Sequence, residues 1–205
     1  MKKFLVICTC LVLTLIINGQ TIDKKWNVGL HGGISQYSGD LGSSFYKFNT
    51  WHWLGGISVS RYIVGNFDVN MLITKGRIGY NEEGVSGNFS SNFTSVLINA
   101  RFNLLGPESY FRPYLFVGAG AMLFDKDLDI TESKVDYVAP SFGGGINIKL
   151  GESVMLNLQE TFLYSTSDLR DGLAAKSNDM YLFHTAGFTF NFGKKDEVMA
   201  YPTTR

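Results

Sequence analysis

The sequence predicts an all-β fold, a single eight-stranded antiparallel up-and-down transmembrane β-barrel. Three observations predict it: segments of about ten residues that alternate in polarity, connections that alternate in length, and the composition. The 205 residues include 23 Gly and only 4 Pro, and aromatic residues make up 14% of them, which favours strands. Charged residues make up 18%, below the roughly 25% of an average soluble domain, which fits a surface that partly faces lipid.

The N-terminus has the pattern of a secretory signal. Lys2 and Lys3 precede an apolar run from Phe4 to Ile17, which is shorter than the roughly 20 residues of a spanning helix. An uncleaved anchor is the alternative interpretation. The expected division of the chain is a signal peptide at residues 1–20, the barrel at residues 21–192 and a short periplasmic tail at residues 193–205.

The first four strands are predicted from segments in which every second residue is apolar and the residues between are more polar. Two faces of different chemistry in each segment indicate strands that separate two environments. The apolar faces are, in order, Trp26, Val28, Leu30 and Ile34; Trp53, Ile57 and Val59; Phe67, Val69, Met71 and Ile73; and Thr94, Val96, Ile98, Ala100, Phe102 and Leu104.

The last four strands follow the same alternation, and the eighth, Met180–Phe192, stops at an aromatic residue. Their apolar faces are Leu115, Val117, Ala119, Ala121 and Leu123; Val138, Phe142, Ile146 and Ile148; Val154, Leu156, Leu158 and Phe162; and Phe188, Phe190 and Phe192. The opposite faces include charged and amide side chains, which cannot face lipid cheaply. We therefore expect the apolar faces outside and the polar faces inside, whereas a soluble sandwich or lipocalin-like barrel would have an apolar interior.

Short and long connections alternate along the chain, as short periplasmic turns and longer extracellular loops do in membrane barrels. The predicted short turns are Val64–Asn66, Gly106–Ser109 and Gly151–Glu152. The predicted long loops are Gly42–Thr50, Asn81–Ser90, Asp125–Val135 and Thr166–Asp179. Aromatic residues near the strand ends are expected to form girdles at the two interfaces: Trp26, Trp51, Trp53, Tyr62, Phe111, Tyr164 and Phe192.

The end of the last strand resembles the C-terminal β-signal of outer-membrane barrels. That signal has a polar residue, then Gly two positions on, then two hydrophobic residues spaced by one at the end. Those places are filled by Thr185, Gly187, Phe190 and Phe192. The resemblance implies recognition by the barrel-assembly machinery and an outer-membrane location.

Two further stretches carry a resemblance. Phe111–Ala121 resembles the fifth strand of OmpA-type eight-stranded barrels, and Phe142–Ile146 and Ser165–Asp168 are similar to later parts of small barrels typical of Bacteroidota outer membranes. Some of that group, similar to PorG, are accessory parts of the type IX secretion machinery. The resemblance implies a barrel of this class, with a role in secretion as a finer implication.

One carboxylate–histidine pair suggests an enzyme. Alternation places Glu160 and His184 on the lipid side of neighbouring strands. Some eight-stranded barrels are lipid A deacylases with a lipid-facing Ser-His-Glu site, in which the Ser follows the His by two residues. That position is Ala186, so the triad lacks its nucleophile. The chain is therefore predicted not to be an enzyme, with a lipid A-modifying barrel enzyme as the alternative.

No cofactor is predicted, and the metal candidates are weak. Asp125, Asp127 and Asp129 offer oxygen ligands at every second residue, which suits Ca²⁺. The sixth position of this loop is Ile130, where a calcium loop of the EF-hand type needs Gly. A solvated acidic loop is the favoured interpretation.

The interior is expected to hold a polar network. Asp68 and Arg101 fall on the inward face of adjacent strands, about one diagonal position apart, with Asn70, Asn99 and Asn103 around them near the periplasmic end. An ion pair there would fill the barrel, whose interior is just wide enough for side chains. This favours a structural or protein-interaction role in the envelope over the alternative of a small-solute channel. Expected partners are outer-membrane lipid, the barrel-assembly machinery and other envelope or secretion proteins; a net charge of zero argues against nucleic acid.

Overall fold

The computed structural model describes residues 25–39, 42–47, 51–80, 89–125, 135–166 and 179–192. Eight long strands and one two-residue strand lie in these ranges. In chain order they are β1 (Trp26–Gly39), β2 (Gly42–Ser43), β3 (His52–Val64), β4 (Phe67–Tyr80), β5 (Phe89–Asn103), β6 (Phe111–Phe124), β7 (Val135–Lys149), β8 (Val154–Ser165) and β9 (Met180–Phe192). Among these residues there is no helix that could cross a membrane.

The eight long strands close into a barrel. Each pairs antiparallel with the next, and β9 pairs back with β1 from Trp26↔Phe192 to Ser38↔Met180. The small strand β2 pairs only with the end of β1. A closed barrel leaves no long strand with an unpaired edge, which is the condition for a sheet to span hydrocarbon. The predicted eight-stranded antiparallel barrel is confirmed.

The alternation of the sequence becomes an outer and an inner surface. On β9, Phe188 and Phe192 are half exposed, whereas Thr189 and Asn191 are buried. The same holds on β1, where Leu30 is 66% exposed. A water-soluble barrel would cover its outer surface with polar residues. The surface of this barrel is instead suited to hydrocarbon.

The short connections all lie at one end of the barrel, where β1 begins and β9 ends; we call it the short-turn end. They join β3 to β4, β5 to β6 and β7 to β8, as predicted. In the tightest of them Gly65 has a φ of 58°, a left-handed conformation that glycine adopts without steric cost. The opposite end, where β4, β6 and β8 finish, is called the long-connection end.

A bulge in β7 overturns one predicted face. Val138 was expected outside with Phe142, but it is fully buried inside the barrel, and its neighbour Tyr137 is 65% exposed. The pairings of β7 with both neighbouring strands shift between Val138 and Ser141. One extra residue reverses the phase of a period-two pattern, so the residues before and after the bulge alternate in opposite senses.

One predicted girdle residue is also on the wrong side. Tyr62 lies across from Asp68, whose carboxyl group is buried in the barrel, so Tyr62 belongs to the inner face. Nearness to a strand end does not determine which way a side chain points; the phase of the strand does. The other six predicted girdle residues are exposed large side chains of the outer surface.

Side chains fill the interior in two layers. The layer at the short-turn end is polar and contains Asn27, Ser60, Asp68, Asn70, Asn99, Arg101, Asn103, Arg112, Asn147, Asn157, Thr189 and Asn191. The layer at the long-connection end is mainly apolar and aromatic and contains Tyr37, Leu54, Ile78, Tyr80, Phe93, Leu97, Met122, Phe124, Val138, Leu163, Tyr181 and Phe183. The protein therefore has a solid centre at both levels.

Candidate functional site

An ion pair lies in the polar layer. Arg101 Nη2 donates to Asp68 Oδ2 at 3.3 Å, and both side chains are less than a tenth exposed. The expected diagonal offset is wrong, because β4 and β5 pair Asp68 directly with Arg101. At the short-turn end of the same strand pair, Phe67 lies opposite Phe102.

Hydrogen bonds extend this pair to two of the three other predicted network residues, Asn70 and Asn103. Arg101 Nη2 also donates to Ser60 Oγ at 3.0 Å, and Asn70 Nδ2 donates to the same oxygen at 2.9 Å. Asp68 Oδ2 in turn accepts from Asn103 Nδ2 at 2.8 Å. Asp68, Arg101 and Asn70 are thereby joined through Ser60.

Asn99 belongs to a different contact. Its Oδ1 accepts a hydrogen bond from Ser141 Oγ at 2.7 Å, across the barrel interior from β7. The structure thus brings four of the five predicted network residues together and connects the fifth, Asn99, to another strand. Sequence spacing places a residue on a face, but it does not say which partner it reaches across a barrel.

Tyr114 and Arg112 were absent from the predicted network. Tyr114 is almost completely buried, and the Arg101 guanidinium carbon lies 4.7 Å from the centre of its ring. Its hydroxyl donates to Gln159 Oε1 at 2.8 Å and accepts from Asn157 Nδ2 at 2.7 Å. Alternation on β6 was the available signal, because both residues lie in phase with the inward positions.

The long-connection end is closed by tyrosine–carboxylate contacts. Tyr37 Oη donates to Asp179 Oδ1 at 2.7 Å, and Tyr181 Oη donates to Asp136 Oδ2 at 3.0 Å. The rings of Phe93 and Phe183 stack beneath them with centroids 5.2 Å apart. These residues tie β1, β7, β9 and β5 together across the interior.

A second polar cluster lies on the outside of the barrel; we call it the outer cluster, formed by Gln36, Tyr46, Glu160 and His184. Glu160 and His184 face each other on β8 and β9, with Oε2 and Nδ1 3.5 Å apart. Tyr46 Oη donates to Glu160 Oε1 at 2.5 Å. Gln36 Oε1 lies 3.2 Å from His184 Nε2. Each ring nitrogen of His184 therefore faces an acceptor oxygen.

The residues after β2 cover part of the outer face. Gln36 and Leu182 occupy outward positions of β1 and β9, yet both are fully buried. The Tyr46 N–H donates to Gln36 Oε1 at 2.8 Å, and Gln36 Nε2 donates to the Lys47 carbonyl at 3.3 Å. Tyr46 has a φ of 59°, which is uncommon for a residue with a side chain. This segment was predicted only as a loop, and no local pattern indicates that it folds back.

The contact between Tyr46 and Glu160 makes a testable electrostatic prediction. Tyr46 precedes the spanning strand β3, and its hydrogen bond to Glu160 raises the pKa of its phenol above the ordinary value, with burial and the Glu160 charge acting in the same direction. We expect Glu160→Gln to lower the Tyr46 pKa toward the ordinary value. An NMR titration of the tyrosine rings in nanodiscs, with Tyr46→Phe to assign the signal, measures it. An unchanged Tyr46 titration in Glu160→Gln would contradict the contact.

The outer cluster contains two members of the triad considered for a lipid A deacylase. The residue two positions after His184 is Ala186, which is exposed on the outer face of β9. Its methyl group cannot act as a nucleophile or supply a proton. The pair of Glu160 and His184 thus exists as alternation predicted, and the residue two positions after His184 does not supply the nucleophile of this triad.

The predicted calcium ligands lie partly outside the residues that the structure describes. Asp127 and Asp129 lie outside the described residues, so only Asp125 of the calcium candidates is placed, at the end of β6. Within the described ranges no three His, Cys, Asp or Glu side chains come together to hold a metal ion.

The proposed assembly signal lies on β9. Thr185 and Gly187 are on the inner face, and Phe190 and Phe192 are on the outer face. The two phenylalanines pair with Val28 and Trp26 across the closing seam of the barrel.

The apolar outer surface, the closed sheet and the polar inner layer define the class of small transmembrane β-barrels. Closed barrels with eight antiparallel strands of this kind belong to the outer membrane, and we place this chain there. No protein-family model matches the sequence, and no curated protein sequence matches it significantly.

Several solved structures are similar to this barrel, and two of them serve as examples. One is the crystal structure of Neisserial surface protein A (NspA), with a TM-score of 0.60 and 16% identity, covering 82% of this chain and 97% of that one. Another is the solid-state NMR structure of outer membrane protein AlkL in DMPC lipid bilayers, with a TM-score of 0.52 and 16% identity, covering 86% of this chain and 92% of that one. At 16% sequence identity, the similarity shows that the folds are alike.

Proposed function

We propose that this chain is a non-enzymatic outer-membrane barrel with a structural or protein-interaction role in the cell envelope. The filled interior is the observation that carries this proposal. Within the polar layer the space between Asn27, His31 and Arg101 amounts to about 10 Å³, close to the minimum for one water molecule. A barrel closed to solutes acts through its outer face, its long connections and its short turns.

The proposed partners are membrane lipid, the barrel-assembly machinery and other envelope proteins. An interaction with the assembly machinery is supported by the position of Phe190 and Phe192, which lie on the outer face of the strand that closes the barrel. A part in protein secretion, and an origin among the PorG-like barrels of Bacteroidota, is the finer proposal. Its support is the resemblance of Phe142–Ile146 and Ser165–Asp168 to small barrels typical of Bacteroidota outer membranes.

Conductance distinguishes this function from the small-solute channel. We expect the refolded barrel to produce no stepwise current in a planar lipid bilayer, because side chains occupy both interior layers. Insertion is verified in the same sample by heat-modifiable migration on a gel, and a large open porin serves as the positive control. Discrete, reproducible current steps from correctly folded protein would contradict the closed interior and favour the channel.

A further inference from the structure

A groove lies on the outer face directly beside the outer cluster. It has a volume of about 470 Å³, within the range of roughly 300–1,000 Å³ that ligand pockets occupy. It runs across β7, β8, β9 and β1 and is lined mainly by apolar atoms. The lining includes the small residues Gly32, Gly144 and Ala186 and the larger residues Ile34, Ile146 and Leu158.

Strand register explains why a depression forms there. Gly32 pairs with Ala186, so two small outward positions meet at the closing seam of β1 and β9. Leu158 is the next cross-strand neighbour of Ala186 and forms a wall. A Cβ added at Gly32 would meet nothing within 4 Å, which shows that the space above it is open.

The polar pair lies one cross-strand row closer to the long-connection end. Ile34 pairs with His184, His184 with Glu160, and Glu160 with Gly144. The groove therefore has an apolar floor and a carboxylate–imidazole pair at its upper edge. Tyr46 packs against this edge, with its ring centre 5.7 Å from that of His184.

The surroundings of the groove determine what fills it. It opens onto the apolar outer surface, where the solvent is the hydrocarbon of the bilayer. An empty depression would leave its lining atoms without dispersion contacts on one side. A flexible acyl chain can follow the floor formed by Gly32 and Ala186, and its methylene groups supply those contacts.

The upper edge of the groove is polar, so it suits a different part of the ligand from the acyl chain. The Glu160 side chain, on the outer face of β8, is 37% exposed. A carboxylate offers about four lone-pair sites, and the contacts with Tyr46 and His184 use only part of that capacity. At the edge of the hydrocarbon, where little water is available, an exposed carboxylate is stabilised by a hydrogen-bond donor of opposite charge. Aromatic residues mark the membrane interface in such barrels, and Trp53, opposite Ile34, is 58% exposed in the same row.

We propose that this groove binds one phospholipid with a primary ammonium head group. One acyl chain lies in the groove across Gly32 and Ala186, and the ammonium group donates to the Glu160 carboxylate. Opposite charge and hydrogen-bond donation together select this head group over a quaternary ammonium, which carries the charge but has no N–H to donate. The protein thereby retains a particular membrane lipid at its closing seam.

Native mass spectrometry of the full chain tests the proposal. The barrel is refolded into nanodiscs that contain equal amounts of phosphatidylethanolamine and phosphatidylcholine with identical chains, then released in mild detergent. We expect one retained phosphatidylethanolamine per barrel. Ala186→Leu fills the groove and should abolish most of this retention. Ala119→Leu, at an exposed outward position on β6 away from the groove, is the matched control and should retain the lipid.

Glu160→Gln tests the head-group contact separately from the chain. We expect the preference for phosphatidylethanolamine over phosphatidylcholine to fall about tenfold, the order of effect that a lost hydrogen bond to a charged group produces. Heat-modifiable migration verifies that each variant is folded. Equal lipid retention by the Ala186→Leu and Ala119→Leu variants would show that the groove does not hold the acyl chain. Equal retention of the two lipids by the unaltered protein would show that Glu160 does not select the ammonium head group.

Discussion

Replacing Arg101 with alanine is expected to lower the free energy of unfolding by about 3–5 kcal/mol, the cost of breaking a buried ion pair on one side. The substitution leaves Asp68 buried without the guanidinium that donates to it and removes one of the two donors to Ser60 Oγ. It also removes the guanidinium that lies over the ring of Tyr114. Urea unfolding of the refolded barrel, followed by tryptophan fluorescence and extrapolated linearly to water, measures the change.

Arg61→Ala provides the matched control. Arg61 is on the outer face of β3, where its guanidinium carbon lies 5.2 Å from the centre of the Trp26 ring. Exposed cation–π contacts contribute about 0.5–1 kcal/mol, so we expect a loss of that size or smaller. If Arg101→Ala were no more destabilising than Arg61→Ala, the interior ion pair would not contribute to stability.

A double-mutant cycle isolates the pair itself. The combined variant Asp68→Ala with Arg101→Ala should cost less than the sum of the two single variants, because the second substitution removes a charge that the first has already left without its partner. Strictly additive changes would mean that Asp68 and Arg101 stabilise the barrel independently. Asn103, which donates to Asp68, remains in all three variants.

Gly120→Ala is expected to destabilise the barrel by about 1–3 kcal/mol or more, the range for overpacking in a tightly packed site. A Cβ at Gly120 would collide with the main-chain oxygen of Val96 and would lie 2.9 Å from the Leu97 Cα. Backbone atoms of a paired strand cannot move aside as a flexible side chain can, so β5 and β6 would have to separate. The folded fraction on an unboiled gel and the urea midpoint both report the effect.

The same substitution at Gly32 separates this steric effect from the general cost of losing a glycine. Nothing lies within 4 Å of a Cβ built there, so Gly32→Ala should change the free energy of unfolding by about 0.5 kcal/mol or less. Similar losses for Gly120→Ala and Gly32→Ala would show that close approach of β5 to β6 does not set the requirement for glycine.

The parts that could be predicted from the sequence depend on local geometry. Side chains of a strand alternate between two faces, and a barrel in a membrane gives those faces opposite chemistry. This is why Phe188, Phe190 and Phe192 could be placed outside. It is also why Glu160 and His184, on neighbouring strands, could be expected to meet.

The wrong predictions have one physical cause. Strand register decides which face of the barrel a side chain occupies and which residue it lies opposite. The bulge between Val138 and Ser141 inserts one residue and reverses the alternation before it. Register also decided that Asp68 and Arg101 lie directly opposite each other. The pattern of polar and apolar residues alone contains no information on either point.

The outer cluster likewise combines residues that could be predicted from the sequence with residues that could not. Alternation predicted two of its members, whereas Tyr46 and Gln36 join it because the chain after β2 folds back over the outer face. Such a return is stabilised by contacts between residues far apart in sequence, Tyr46 and Glu160 among them. No periodic pattern in the local sequence predicts these long-range contacts.

The amino-acid sequence by itself determined the all-β class, the number of long strands, most of the outward and inward faces and the short turns, because each depends on neighbours within a few residues. Only the tertiary structure decided which side chains meet in the interior, that Ala186 and Gly32 meet to form a groove, and that Glu160 lies at its edge beneath Tyr46. These depend on how the closing strands β9 and β1 align, and that alignment is set by the whole closed sheet.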